Sequence, residues 1–148
     1  MVKIISGTSS KEELLEWCVG YSKKDTNERL ALAECIEQFI VQGLPTNQID
    51  ATILSIVMQC FDDEHYIVRR RSCNCFALLL DTKYRDLAER KLCEAAIDPS
   101  HYVRSQVLNL CRSKKVKVLE ICDELIDILE NDANYAIRES CKQIESCS

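Results

Sequence analysis

Residues 98–104 read DPSHYVR, residues 63–69 read DEHYIVR and residues 132–138 read DANYAIR. One phrase is written three times: an aspartate, a tyrosine, a branched apolar residue and an arginine six positions after the aspartate. The apolar residues before the arginines are Val68, Val103 and Ile137, spaced 103 − 68 = 35 and 137 − 103 = 34. A period between about 20 and 50 residues marks a chain built of stacked supersecondary units. One further step back, 68 − 32 = 36 residues, falls on Leu32.

The columns around these anchors test whether the first segment belongs. Four residues on stand Ile36, Ser72, Val107 and Cys141, and seven on stand Phe39, Cys75, Leu110 and Ile144. These are apolar or small, as the buried side of a helix requires. Six on stand Gln38, Asn74, Asn109 and Gln143, all side-chain amides at a position turned from the core. In this register the first segment is a degenerate terminal repeat, with Ala33 in the arginine column and Asn27 in the aspartate column.

The text between the phrases is helical. The chain has three glycines and two prolines, so breakers are scarce. Ser9 and Ser10 each precede a glutamate by three, Glu12 and Glu13, which is the capping-box spacing. Gly43 and Pro45 end one helix, and Thr46 or Asn47 is placed to cap the next. The periodicity predicts eight helices at 9–20, 27–42, 47–61, 65–80, 84–97, 100–113, 116–130 and 134–146. Short links between them favour antiparallel neighbours.

An aspartate in the interhelical turn, followed by a branched apolar and a basic residue opening the second helix, resembles the HEAT-repeat family. The resemblance covers most of the chain, with the first repeat atypical. It implies an all-α, right-handed α-solenoid of about four helical hairpins, one domain over 1–148 with repeats near 9–42, 47–80, 84–113 and 116–147. It also implies a ladder between neighbouring repeats, made by Asp63, Arg69, Asp98, Arg104, Asp132 and Arg138. An aspartate near a helix start favours the exposed amides, and a guanidinium can bond a carboxylate bidentately.

Composition bounds the function. The 148 residues carry a formal net charge of −5 and are 29% charged and 47% hydrophobic. An acidic chain is not drawn to nucleic acid or anionic membrane by bulk charge. No apolar span of membrane length is present, and the opening MVKIISGTSSKEELLEW lacks the apolar core of a secretory signal. Ten cysteines suggest a disulfide scaffold, but most lie in apolar-periodic helical text, where free cysteine packs as a small hydrophobe. The expectation is reduced thiols and a cytoplasmic protein.

Catalytic constellations are not visible. An Asp–Arg pair that recurs with the repeat reads as structural. His65 and His101 lie near cysteines without CxxC or HxxxH spacing, and Cys73 and Cys75 point apart on a helix, so neither a metal nor a cofactor is expected. Tyr66, Tyr102 and Tyr135 are expected to pack against adjacent turns with their hydroxyls wet. Basic clusters occur at 69–71 (RRR) and 114–117 (KKVK). Two and nine residues after the anchors, the face opposite the core carries Glu34, Arg70, Glu139 and Arg112 as its charges. They sum to zero, unlike a groove that grips DNA by counterion release.

The resulting expectation is a non-enzymatic protein-binding scaffold or adaptor, monomeric, with a protein or peptide partner held on the concave face. Candidate partner-binding residues are Gln38, Arg70, Asn74, Asn109, Arg112 and Gln143. One alternative is a small HEAT-like DNA-binding protein or alkylpurine DNA glycosylase-type enzyme. The other is a specific inhibitor or immunity-type partner of one enzyme.

Overall fold

The computed structural model describes residues 10–44, 48–113 and 121–146. Among them lie eight α-helices: α1 Lys11–Cys18, α2 Thr26–Gly43, α3 Ala51–Phe61, α4 Tyr66–Leu79, α5 Arg85–Ala95, α6 His101–Arg112, α7 Cys122–Leu129 and α8 Tyr135–Ser146. A 3-10 turn, Tyr21–Lys23, joins α1 to α2. No described helix is long and apolar enough to cross a membrane. The chain divides into two compact units, Met1–Cys75 and Phe76–Ser148, the division falling within α4.

The helix starts follow their local sequence. Ser10 and Glu13 form a capping box on α1, and Asp25 and Glu28 form a second on α2. Each side chain satisfies an amide that the helix leaves open. The expected caps Thr46 and Asn47 lie outside the described residues, as do the KKVK cluster and the predicted start of a helix at 116. The cap of α3 is Asp50, whose carboxylate accepts the amides of Thr52 and Ile53, so that helix starts later than the periodicity suggests. Gly20 makes the turn after α1 with φ of +70°, a conformation that costs other residues more.

In the first unit α1, α2 and α3 pack on one another around Leu14, Leu32, Ile36, Ile40, Ile53 and Val57, all fully buried. In the second unit the α5–α6 hairpin packs on the α7–α8 hairpin, with Leu92, Val103, Val107, Leu125 and Leu129 buried between helices. The four anchors Leu32, Val68, Val103 and Ile137 are all buried, as are Ile36, Ser72, Val107 and Cys141. The later column is less uniform, since Cys75 and Leu110 are buried while Phe39 and Ile144 are half-buried. Eight free thiols are described, six of them buried.

Candidate functional site: the repeated turn and the amide face

The repeated phrase builds one local structure three times. The carboxylate of each aspartate accepts the amide two residues on: Asp63 from His65, Asp98 from Ser100 and Asp132 from Asn134, each at 2.8 Å. This closes the turn before the second helix of each hairpin. The arginine six residues later folds back over the turn. Arg69 Nη1 donates to the carbonyls of Asp63 and Glu64, Arg104 Nη1 to those of Asp98 and Pro99, and Arg138 Nη1 to those of Asp132 and Ala133. Carbonyls of the turn, beyond the end of the preceding helix, thereby gain a cationic donor.

The same arginine can reach the next turn. Arg104 Nε and Nη2 bond the two oxygens of Asp132 at 2.7 and 3.2 Å, a bidentate ion pair whose carboxylate side chain is only 4% exposed. The ladder reading needs one correction at Arg104: its contact with Asp98 is to the backbone carbonyl, while the Asp98 carboxylate accepts the Ser100 amide.

The first repeat is less degenerate than its apolar columns imply. Ala33 is fully buried and plays no part in the ladder. Arg29 takes the arginine's place: its Nε donates to Asp63 Oδ2 at 2.8 Å, and its Nη1 donates to the Lys24 carbonyl. That carbonyl lies five residues earlier, as Pro99 lies five before Arg104. Arg29, Arg69, Arg104 and Arg138 are each the fourth residue of their helix. The signal was in the sequence, since Asp25 and Glu28 mark the helix start three or four residues before Arg29. Asp63, whose side chain is 1% exposed, also accepts the hydroxyl of Tyr21 at 2.5 Å. Burial and the Asp63 carboxylate push the Tyr21 phenol well above its ordinary range. Tyr21 was not singled out in the sequence, because the 3-10 turn carrying it has no counterpart in the other repeats.

The amide face is organised differently from a ladder of amides. Asn74 Nδ2 donates to Glu37 Oε1 at 2.9 Å, and Arg71 Nη2 bonds Glu34 at 3.2 Å, so α2 and α4 are tied by charged partners within the first unit. In the second unit Arg112 Nη2 donates to Gln143 Oε1 at 3.4 Å. Gln38, Arg70, Asn109, Arg112 and Gln143 are exposed, and Asn74 is half-buried. Such a surface can donate to and accept from a partner's backbone, because each amide carries both functions.

The thiols are electrostatically quiet. Burial pushes Cys60 up to about 12, and Cys18 and Cys93 up to about 11. Cys75 is raised well above its ordinary value by burial, with neighbouring Cys60 and Glu37 adding to it. Thiols held neutral in this way are poor nucleophiles. Among the described residues, no group of three or more His, Cys, Asp or Glu side chains is arranged to hold a metal ion.

Comparison of the chain with protein-family models, with curated proteins and with solved structures gives no match.

Proposed function

We propose that the chain is a HEAT-like α-solenoid of about four hairpins, right-handed, that serves as a protein-binding scaffold or adaptor in the cytoplasm. The observation that supports this reading is the turn built three times from the same aspartate and arginine, with Arg29 as a fourth arginine in the same helical position. Repeating one turn stacks hairpins in register. Stacked hairpins present a long surface on which equivalent side chains recur.

We place the partner face on the concave side made by the second helices, with Asn74 and Arg70 as its residues in the first unit and Asn109 and Arg112 in the second. Asn109, Arg70 and Arg112 are exposed on helices whose opposite sides are core, so a partner would meet a surface that needs little ordering. Fixed donors and acceptors on such a face suit an extended protein segment. Its charges balance, which disfavours duplex DNA.

The experiment is a pair of measurements. Fluorescence anisotropy with labelled duplex DNA at two salt concentrations should show weak binding only. Affinity capture on immobilised chain should retain a protein, and the Asn74→Ala plus Asn109→Ala variant should weaken that partner at least roughly tenfold, or about 1.4 kcal/mol. Tight, salt-sensitive DNA binding would replace this reading with the nucleic-acid one.

A further inference from the structure

A side-chain amide has both hydrogen-bonding functions, but which one meets a partner depends on how the group is turned. On the face of the second helices one amide is held from turning. Asn74 Nδ2 donates to Glu37 Oε1 at 2.9 Å. A carboxylate can only accept. The amide nitrogen is therefore the end that faces Glu37, and the carbonyl oxygen Oδ1 is the end turned away.

Glu37 is itself held. Glu34 and Glu37 stand three residues apart on α2, and Arg71 and Asn74 stand three apart on α4, so each pair shares one helix face. Arg71 Nη2 bonds Glu34 Oε1 at 3.2 Å, and its Nη1 lies 3.6 Å from Glu37 Oε1. The Glu37 side chain is 17% exposed, against 48% for Glu34. A carboxylate under that cover stays where its donors are, because leaving them unmade is costly. Asn74 is half-buried as well, so water competes for the bond less than at an open surface.

In the second unit the neighbour is of the opposite kind. Arg112 Nη2 donates to Gln143 Oε1 at 3.4 Å, and a guanidinium has no acceptor. There the amide oxygen faces its neighbour and the nitrogen is turned away. One column of amides thus gives its nitrogen to an acid in the first unit and its oxygen to a base in the second. The residue type sets only that both functions exist. The charged neighbour sets which one is presented.

Resting on the partner face proposed above, we infer that Glu37 is a positioning residue: by claiming the Asn74 nitrogen it makes Asn74 an acceptor, and the group met there is a backbone N–H of an extended protein segment. The Asn74 oxygen carries two lone pairs, so it accepts from the partner whatever else it touches. Backbone N–H groups are the donors that an extended segment always brings and must satisfy when covered. An orientation fixed before binding need not be fixed during it. Arg71 completes the arrangement by holding Glu37, which acts through Asn74.

Two measurements test this. In NMR spectra of the full chain the Asn74 side-chain NH2 signals, identified by their loss in Asn74→Ala, should exchange slowly with water, and Glu37→Ala should make that exchange fast. Peptides are then enriched by panning a random-peptide phage library on the full chain, and those that Asn74→Ala weakens are measured by fluorescence anisotropy. Glu37→Ala should weaken them as much as Asn74→Ala does, roughly fivefold for one hydrogen bond. Glu37→Gln, whose oxygen Arg71 can still hold, should restore most of that loss. Methylating the peptide's backbone nitrogens one at a time should find one position whose loss matches Asn74→Ala and adds nothing to it. Urea melts check that each variant folds, and the NH2 exchange and the methylation scan on the unaltered chain stand even if Glu37→Ala does not. Fast NH2 exchange in the unaltered chain, binding indifferent to Glu37→Ala, or no position at which methylation matters overturns the inference and leaves the face. No enrichment, or peptides that Asn74→Ala never weakens, contradicts the face, and the inference falls with it.

Discussion

Replacing Arg104 by alanine removes four hydrogen bonds at once, two to the Asp132 carboxylate and two to the Asp98 and Pro99 carbonyls. The carboxylate left behind is 4% exposed and keeps the Asn134 amide as a donor. Breaking a buried ion pair from one side costs about 3–5 kcal/mol. The site is at the end of the unit, where water can reach a carboxylate once the guanidinium is gone, so the lower end applies, about 3 kcal/mol. For a chain of this size that lowers Tm by roughly 6–12 °C. Arg70→Ala, on an exposed face, should cost at most about 0.5 kcal/mol. Urea melts of the two variants at neutral pH give the comparison, with the m-value as a check that both unfold the same core. Arg104→Lys should recover only part of the loss, because an ammonium cannot span both carboxylate oxygens and the turn carbonyls. Asp132→Asn placed in the Arg104→Ala background should cost less than the two single changes added together, because the stranded charge is gone. Equal losses for Arg104→Ala and Arg70→Ala, or strict additivity of the first with Asp132→Asn, would refute the reasoning.

Arg29→Ala should destabilise at least as much as Arg104→Ala, since Asp63 is still more deeply covered, while Tyr21→Phe removes one donor and should cost about 1–2 kcal/mol in the same melts. The thiols give a pH dependence: Cys18, Cys60 and Cys93 are raised in the folded chain to about 11, 12 and 11 from 9.0. Their neutral forms support the fold fully below pH 9, and that support is lost as pH rises through the folded values, so urea midpoints should fall above about pH 9 and stay level between 7 and 8. Thiol titration of fresh protein without reductant should approach ten in denaturant and proceed slowly in the native state; a denatured count near zero would contradict the reduced-core reading. The Asn74→Ala plus Asn109→Ala pair should change stability by less than about 1 kcal/mol, because only Asn74 is tied to a partly covered neighbour.

The helical class and most element limits were legible because apolar periodicity and breaker scarcity agree along the whole chain. The turn device was legible because Asp63, Asp98 and Asp132 recur at fixed distance from their arginines. Arg29 escaped for a physical reason. Read from Arg29, the anchor position falls on the capping residue Glu28 rather than on an apolar residue, so the apolar columns select Leu32 and Ile36, both fully buried, one helical turn later. Only the polar device, with Arg29 as the fourth helical residue, selects the earlier register: its spacing to Arg69 is 69 − 29 = 40 residues. The amide column was legible as a row of residue types, but its bonding was not. Asn74 meets Glu37 and Arg112 meets Gln143, diagonal pairs whose offsets differ from the repeat period. Tyr66, Tyr102 and Tyr135 are exposed rather than packed on adjacent turns, and this was not legible at all, since a ring at a helix start can turn inward or outward with the same sequence around it.

The central claim, that a protein partner lies on the face made by the second helices, is tested most directly by a photo-crosslinking residue placed at Asn109 in the full chain and irradiated in cell extract. The expected product is an adduct of defined mass that survives nuclease, yields partner peptides on proteolysis and is absent when the probe replaces buried Val107 instead. An adduct that nuclease removes, or no adduct at Asn109 under conditions where Asn74 and Gln38 probes also give none, would contradict it.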